Sequence, residues 1–221
     1  MNPDATMGPG KNRAVEPATP DAWDKAYATQ GRLWGGTPGP VPELPAGSRV
    51  LELGCGNGKL LLSLAGKPYD CIALDFSQHA CRLARRTVNN PDVTLLVADA
   101  RKIPLRSGTV NAVVAHHVAG HLLAEDRSFL INETARVLSG GGWFLFCDFS
   151  AEDFRAGKGT EIGERTYRRG TGIITHYFTE EEVRGMSGPF QVRDLTTIRR
   201  IMTVGGRIYP RAEIMATFVK P

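Results

Sequence analysis

The chain has 221 residues, of which 42% are hydrophobic, and this is enough for the core of one domain. Lys and Arg number 27 against 23 Asp and Glu, so the net charge of +4 permits contact with nucleic acid without requiring it. No apolar run approaches the roughly 18 residues of a membrane helix, and we expect neither a membrane span nor a secretory leader. The four cysteines show no CxxC spacing, which favours free thiols and a cytoplasmic protein.

The N-terminal part differs in composition from the rest. Residues 1–20 are polar and carry four prolines, so we expect a disordered or loosely ordered tail. Residues 21–46 are expected to form a helix that begins at Asp21 and a Pro-rich linker, with one domain over residues 47–221. The helix and linker carry three aromatic residues that either pack on a sheet edge or close as a flap over a ligand: Trp23, Tyr27 and Trp34.

A glycine-rich turn follows the first apolar strand of the domain, 49–53. Gly54, Gly56 and Gly58 separate this strand from a leucine-rich helix, and such a turn presents the N–H groups of a helix to a nucleotide. The dinucleotide fingerprint G-x-G-x-x-G is not matched, because its last position is Lys59. The Gly-Lys-Ser/Thr ending of a P-loop is absent as well.

The next two strands each lead to a carboxylate. Asp75 ends the strand 70–75 and lies 21 residues after Gly54, as does the acid that binds ribose hydroxyls in nucleotide sites. Asp99 follows the strand 93–98. Because the carboxyl ends of parallel strands meet at one edge of a sheet, these acids and the glycine turn are expected to share one crevice.

Strands and helices continue to alternate as far as residue 149. The further predicted elements are helices 57–66, 77–89 and 123–138 and strands 110–116 and 142–149. This alternation predicts a doubly wound α/β fold with a mostly parallel sheet and a ligand at the carboxyl ends of its strands.

The regular alternation stops after residue 149. Two runs, 165–169 and 173–178, flank a Gly-Thr-Gly turn and predict an inserted hairpin, a candidate lid over about residues 155–178, after an irregular glycine-containing loop. A capping-box sequence begins at Thr179 and predicts a short helix. The runs 192–201 and 211–219 predict a terminal antiparallel pair of strands.

Together these signals resemble one family. The pattern E-x-G-x-G-x-G from Glu52, the acids Asp75 and Asp99, and the segment 136–142 before the fifth strand resemble class I S-adenosylmethionine (SAM)-dependent methyltransferases of the small stand-alone "type 11" group. The usual R-V-L-K-P-G-G reads R-V-L-S-G-G-G here, a departure within a turn. The resemblance covers roughly residues 48–150. It implies a Rossmann-like seven-stranded sheet with an antiparallel terminal hairpin, SAM as methyl donor and S-adenosylhomocysteine (SAH) as product.

The resemblance also implies roles for individual residues. Glu52 would order the glycine loop and the amino-acid end of SAM, Asp75 would bind the ribose, Phe76 would cover the adenine, and Asp99 would accept from the adenine amine. The full set of expected cofactor-binding residues is Tyr27, Trp34, Glu52, Gly54, Cys55, Gly56, Asn57, Gly58, Asp75, Phe76, Asp99, Ala100 and His116.

Catalytic and acceptor residues are harder to identify, because the methyl donor is already activated. His116 ends the fourth strand and is the candidate base, although it could merely bond the backbone there. His117 and His121 are expected to face the acceptor; no metal is expected, since no acidic or Cys partner lies near them in sequence. The hairpin supplies further acceptor candidates, which could equally form a solvated edge: Tyr167, Arg168 and His176.

The sequence therefore predicts a SAM-dependent methyltransferase with a small-molecule acceptor. Two alternatives stay open: an RNA methyltransferase, since the core also resembles wobble-uridine tRNA enzymes, and a non-catalytic SAM- or SAH-binding partner subunit. A dinucleotide oxidoreductase is disfavoured by Lys59 and by Asp99 between two alanines. The atom methylated and the oligomeric state are left open.

Overall fold

The computed structural model describes residues 20–31, 33 and 41–221. Trp34, the predicted tail and most of the Pro-rich linker lie outside the described residues. The helices are α1 (Pro20–Gln30), α2 (Lys59–Ala65), α3 (Gln78–Val88), α4 (Ala124–Val137) and α5 (Glu180–Gly185), with a 3-10 turn at Ala119–His121. The strands are β1 (Arg49–Leu53), β2 (Asp70–Asp75), β3 (Thr94–Val97), β4 (Val110–His116), β5 (Leu138–Phe149), β6 (Thr160–Gly163), β7 (Thr166–Arg168), β8 (Ile174–His176), β9 (Gln191–Val204) and β10 (Arg207–Val219).

The main sheet has seven strands in the order β3-β2-β1-β4-β5-β10-β9. The five strands from β3 to β5 run parallel, and β10 is antiparallel to both of its neighbours, which confirms the predicted fold class. Leu53 pairs with Leu74 on one side and with Ala115 on the other, so β1, β2 and β4 end level with one another. Loops that follow these strands therefore meet at one edge.

The parallel strands are apolar along their length because both faces of the sheet are covered. Leu51 and Leu53 are fully buried on one face with Phe144, while Val50 and Leu145 belong to the cluster on the opposite face. The alternation of neighbouring residues between two cores holds the strand ends in fixed positions.

Local capping agrees with the sequence. The Ser77 hydroxyl accepts a hydrogen bond from the Ala80 N–H at the start of α3, and Asn89 ends that helix in the left-handed conformation. The Thr179 hydroxyl accepts from the Glu182 N–H at the start of α5, as the capping-box sequence predicts.

The inserted segment forms the predicted hairpin, β7 and β8, but the glycine-containing stretch before it is not irregular throughout. Residues Thr160–Gly163 pair with β7 as β6, which gives a separate three-stranded antiparallel sheet. The terminal strands are also longer than predicted, because β9 and β10 continue to pair beyond the sheet as far as the turn at Gly205 and Gly206.

None of the described helices combines the length and the apolar character needed to cross a membrane.

Candidate active site

A cavity of about 750 Å³ opens where the parallel strands end. Its wall comes from the loop after β1, the ends of β2, β4 and β5, the helix α1 and the strands β9 and β10. The structure brings thirteen of the residues proposed from sequence into this wall: Tyr27, Glu52, Gly54, Cys55, Gly56, Asn57, Asp75, Phe76, Asp99, Ala100, His116, His117 and His121. Gly58, Tyr167, Arg168 and His176 do not line it, and Trp34 is outside the described residues.

The glycines of the loop serve different purposes. Gly56 has φ +51°, and a Cβ there would lie 2.6 Å from the Tyr27 hydroxyl, so the loop admits this ring only without a side chain at position 56. Gly58 has φ +80°, and a Cβ there would lie 2.8 Å from the Ala84 Cα on α3. Gly58 therefore lets α2 pack on α3 and supports the loop on the side away from the cavity.

Asp75 fixes the glycine loop through its carboxylate. Its two oxygens accept hydrogen bonds from the backbone N–H groups of Gly56 and Ser77, each at 2.9 Å. Burial raises the pKa of Asp75 to about 6 in spite of these two donors. Each carboxylate oxygen has a second lone pair, so the side chain can also accept two hydroxyl groups of a ligand.

Glu52 lies beside Asp75, and one of its carboxylate oxygens lacks a hydrogen-bond donor in the part of the chain that the structure describes. It is 4% exposed, and its Oε2 has no hydrogen-bond partner among the described residues. Burial and the nearby Asp75 raise its pKa well above the ordinary value. A buried acceptor without a donor costs free energy, and a ligand that brings a donor or a positive charge removes this cost.

Asp99 differs from Asp75 because a side chain already satisfies it. The Arg101 Nε lies 3.0 Å from each carboxylate oxygen, and Nη2 donates to Oδ2 at 2.6 Å. Arg101 also pairs with Asp126 at 2.8 Å. Burial acts to raise the pKa of Asp99, but the hydrogen bonds from Arg101 outweigh it and lower the pKa. Arg101 lines the cavity too, and apart from its charge no feature of the sequence indicated this.

The helix α1 closes one side of the cavity. Trp23 and Tyr27 are 5% and 6% exposed, and both rings line the wall. The helix is held by Asp24, which accepts from the Ser77 hydroxyl at 2.7 Å and from the His79 N–H at 2.9 Å. The aromatic residues of α1 thus pack on the domain and face the cavity at once; Trp23 was missing from the proposed cofactor set.

His116 and His121 are held in the uncharged form. Burial, with His117 close by, lowers the pKa of His116 to about 4. Burial also lowers the pKa of His121, whose Nδ1 lies 2.7 Å from the Ile174 carbonyl oxygen. Because a carbonyl oxygen only accepts, Nδ1 carries the proton and Nε2 of His121 is the acceptor nitrogen.

His117 stands in a left-handed conformation with φ +56° at the end of β4. Its ring stacks on Phe149 with centroids 4.2 Å apart, and its Nε2 lies 3.5 Å from a carboxylate oxygen of Glu213. The potential ligand atoms of His117, Cys147 and Glu213 lie within 4.8 Å of one another. Residues of β5 and β10 thus join His117, at the end of β4, in a cluster of potential metal-ligand atoms, which spacing in the sequence could not reveal.

Arginines at the far end of the cavity were also missed. Arg155, Arg200 and Arg211 line the wall beside Phe149 and Glu213. They come from the segment after β5 and from the two terminal strands, which are distant in sequence. Alternation along β10, which places Arg211 and Glu213 on one face, was the available signal.

Two of the hairpin residues proposed for the acceptor, His176 and Tyr167, contact the inserted segment and α5. His176 is 2% exposed, with Nδ1 at 2.8 Å from the Thr166 hydroxyl and Nε2 at 2.8 Å from a carboxylate oxygen of Glu182. The Tyr167 ring lies 6.0 Å from that of Tyr177. A role of the hairpin as a lid stays a prediction.

Comparison with known proteins agrees with this geometry. A family model for the methyltransferase domain matches residues 51–146, which contain the glycine loop and both acids. The chain is 29% identical over 238 residues to the tRNA N(3)-methylcytidine methyltransferase Mettl2 of Drosophila melanogaster, covering 91% of this chain and 71% of the fly protein. It is 34% identical over 143 residues to the malonyl-[acyl-carrier protein] O-methyltransferase of Geobacter sulfurreducens.

That second match covers 62% of this chain and spans about half, 52%, of the bacterial relative. Among solved structures, a SAM-dependent methyltransferase from Methanosarcina mazei superposes with a TM-score of 0.66 at 24% identity, over 80% of this chain and 94% of that one. At this identity the likeness concerns the fold. The domain match, the sequence relatives and the fold agree, and together they support a class I SAM-dependent methyltransferase of the type 11 group.

Proposed function

We propose that this chain transfers the methyl group of SAM to a small-molecule acceptor bound in the 750 Å³ cavity, releasing SAH. The observation that carries the proposal is a set of groups in one wall of that cavity: the glycine loop, the buried Asp75, and Glu52, whose Oε2 has no partner among the described residues. This set suits a ligand that offers two hydroxyl groups and a positively charged donor.

SAM supplies a methyl group that is already activated on a sulfonium, so the protein mainly has to align the partners and exclude water. Asp75 would hold the ribose hydroxyls, and Glu52 would take the ammonium group. Phe76 and Ala100 would flank the adenine. The buried rings of Trp23 and Tyr27 on α1 would exclude water from this end of the cavity.

Two histidines can handle a proton of the acceptor. With its pKa lowered to about 4, His116 is uncharged at neutral pH and can accept a proton as the new bond forms. The acceptor nitrogen of His121 can orient a hydroxyl or amine of the incoming molecule, because its Nδ1 is committed to Ile174. We assign His116 as the base and His117 and His121 to acceptor binding.

A tRNA acceptor is the second candidate, and the match to the fly tRNA methyltransferase over 91% of this chain favours it. We rank it second because two arginines of the cavity, Arg155 and Arg211, are recessed in its wall. A non-catalytic SAM-binding subunit is the third. The four cysteines of the chain are all free and buried, and we place the reaction in the cytoplasm on that basis.

The test is calorimetric titration of the protein with SAH, with NADH as the control. We expect SAH to bind with micromolar affinity and NADH to give no binding heat. Turnover of radiolabelled SAM with small acids, small amines and bulk tRNA then separates the candidates. Absence of SAH binding would overturn the proposal, and turnover with tRNA alone would replace the small-molecule acceptor.

A further inference from the structure

We infer that the acceptor carries a carboxylate, which Arg155, Arg200 and Arg211 bind at the end of the cavity opposite the cofactor residues. This inference rests on the proposed function, because it names the class of molecule that the same cavity receives. Four features of the structure support it: the position of the arginines in the sheet, the contacts that hold their guanidinium groups, the excess of positive charge around them, and their depth in the cavity.

The position follows from the order of the strands. Asp99 and Asp75 follow β3 and β2, the glycine loop follows β1, and His116 ends β4. Arg155 comes after β5, and Arg211 lies on β10, the next strand in the sheet. Neighbouring strands are about 4.8 Å apart, so β2 and β10 are separated by roughly 19 Å. The histidines lie between the two ends, where a methyl group would be transferred.

Two of the guanidinium groups are held in place by one buried carboxylate. Asp153 has a fully buried side chain, accepts from Arg155 Nε at 2.7 Å and Nη2 at 3.2 Å, and accepts from Arg211 Nε at 2.8 Å. The Ala212 N–H adds a fourth donor at 3.2 Å. These contacts fix both guanidinium planes and leave Nη1 of each for a ligand, among the contacts that the structure describes.

The charges at this end do not cancel. Besides the buried Asp153, the carboxylate that these arginines contact among the described residues is Glu213 in the wall, which lies 3.5 Å from Arg211 Nη2 and 3.9 Å from Arg200 Nη1. Three guanidinium groups thus face two carboxylates. Arg211 Nη2 makes one long hydrogen bond to Glu213, and Arg200 makes none to it, so an anion between them gains shorter charge-assisted hydrogen bonds.

The depth of the cluster favours a small acid over the phosphates of a nucleic acid. The Arg155 and Arg211 side chains are 16% and 24% exposed, and the Arg155 guanidinium lies 4.0 Å from the centre of the Phe149 ring. Arg200 is 53% exposed and lies at the mouth of this recess. A carboxylate on a slender molecule can enter such a recess, and the low exposure strengthens its pairing with arginine. A flat guanidinium also matches a carboxylate in a paired geometry.

The experiment uses protein saturated with SAH and titrates it by calorimetry with malonate, with uncharged malonamide and with inorganic phosphate. Wild type is compared with Arg211→Gln and Arg200→Gln, and with Arg86→Gln, which removes the same charge from an exposed site on α3. Arg200 does not contact Asp153, so this variant keeps the test valid if loss of Arg211 disturbs folding. SAH affinity is measured for every variant as a separate readout.

We expect malonate to bind at least about tenfold more tightly than malonamide, and both Arg200→Gln and Arg211→Gln to weaken malonate at least about fivefold. Arg86→Gln should leave malonate affinity unchanged, and SAH affinity should be the same in all variants. Equal malonate binding by wild type and Arg200→Gln, or no malonate binding at all, would overturn the inference. Tighter binding of phosphate than of malonate would overturn the assignment to a carboxylate. Loss of SAH binding in wild type would instead overturn the proposed function.

Discussion

The two ends of the cavity are built in different ways. The cofactor end comes from residues 52–100, and backbone N–H groups hold its central carboxylate, Asp75. The acceptor end is assembled from residues 147–213, and side-chain ion pairs around Asp153 hold its arginines. One end depends on a loop conformation that a short stretch of sequence encodes. The other depends on which strands pair in the folded sheet.

The two ends of the cavity also differ in what shifts the pKa values of their acids. At the cofactor end burial dominates for Glu52 and Asp75, whose pKa values are raised, while Arg101 lowers the pKa of Asp99. At the acceptor end burial also acts to raise the pKa of Asp153, but Arg155 and Arg211 outweigh it and lower the pKa. A buried acid with an unpaired oxygen, such as Glu52, attracts a cationic ligand, whereas a site with surplus guanidinium groups attracts an anion.

Removal of Asp75 should have the largest effect on the cofactor end. Asp75→Ala takes away the acceptor for two ribose hydroxyls and leaves the N–H groups of Gly56 and Ser77 without their partner. At about 1.5–3 kcal/mol for each hydrogen bond to a charged group, SAH affinity should fall by about 100-fold or more. Calorimetric titration measures this fall. Asp92→Ala, at an exposed site, is the charge-matched control, and equal SAH affinity in both variants would remove Asp75 from the cofactor site.

Gly58 tests whether the glycine loop is supported by helix packing. In Gly58→Ala the new Cβ meets the Ala84 Cα at 2.8 Å, in a conformation with φ +80°. Strain of the left-handed backbone and overpacking together should lower the free energy of unfolding by about 2–3 kcal/mol, measured by urea denaturation. Gly66→Ala is the matched control, because its nearest contacts are 3.7 Å away and its φ is −81°. Similar losses in both variants would contradict the packing role.

The difference between locally encoded residues and residues brought together by strand pairing explains what could be predicted from the sequence. The strand ends, Asp75 and the cap at Ser77 are encoded by local patterns, and the structure places them as those patterns predict. Arg155 and Arg211 meet only because β10 inserts between β5 and β9, and no local pattern encodes that pairing. Arg168 was proposed from a basic stretch of the hairpin and does not line the cavity, and Arg165 in the same stretch pairs with Glu182 on α5. Clustering in sequence is therefore a weaker guide to this cavity than position at a strand end.

His116 gives a pH-dependent test in the middle of the cavity. Its pKa is lowered from 6.5 to about 4 in the folded protein, so the unfolded chain binds more protons between these values. The stability contributed by the neutral imidazole is complete above pH 6.5 and is lost as the pH falls towards 4. Between pH 7 and pH 5 wild type should lose about 2 kcal/mol more of its free energy of unfolding than His116→Gln. Urea denaturation at both pH values measures this difference, and equal losses would show that His116 is not buried as a neutral base.

Glu52 should show opposite effects on stability and on binding. Its raised pKa means that the ionised form is disfavoured in the folded protein, so Glu52→Gln should stabilise the ligand-free protein by about 1 kcal/mol at pH 7. The same change removes the charge that faces the ammonium group, and SAH affinity should fall about tenfold. Thermal unfolding and calorimetry measure the two effects, with the exposed Glu161→Gln as control. A stabilised variant with full SAH affinity would assign Glu52 to the loop alone.

Asp99 should give the smallest effect, although the sequence proposed it beside Asp75 for the same cofactor. Its side chain is 37% exposed, and Arg101 already donates to both of its oxygens. Asp99→Asn should therefore reduce SAH affinity only about threefold, because the adenine amine gains little from an acceptor shared with a guanidinium. Asp126→Asn, which removes the other partner of Arg101, is the matched control and should leave SAH affinity unchanged. A fall of about 30-fold or more for Asp99→Asn would mean that SAH displaces Arg101 and uses the carboxylate alone. Asp99 would then act as Asp75 does, and the contrast between this end and the acceptor end, where side-chain ion pairs hold the arginines, would become sharper.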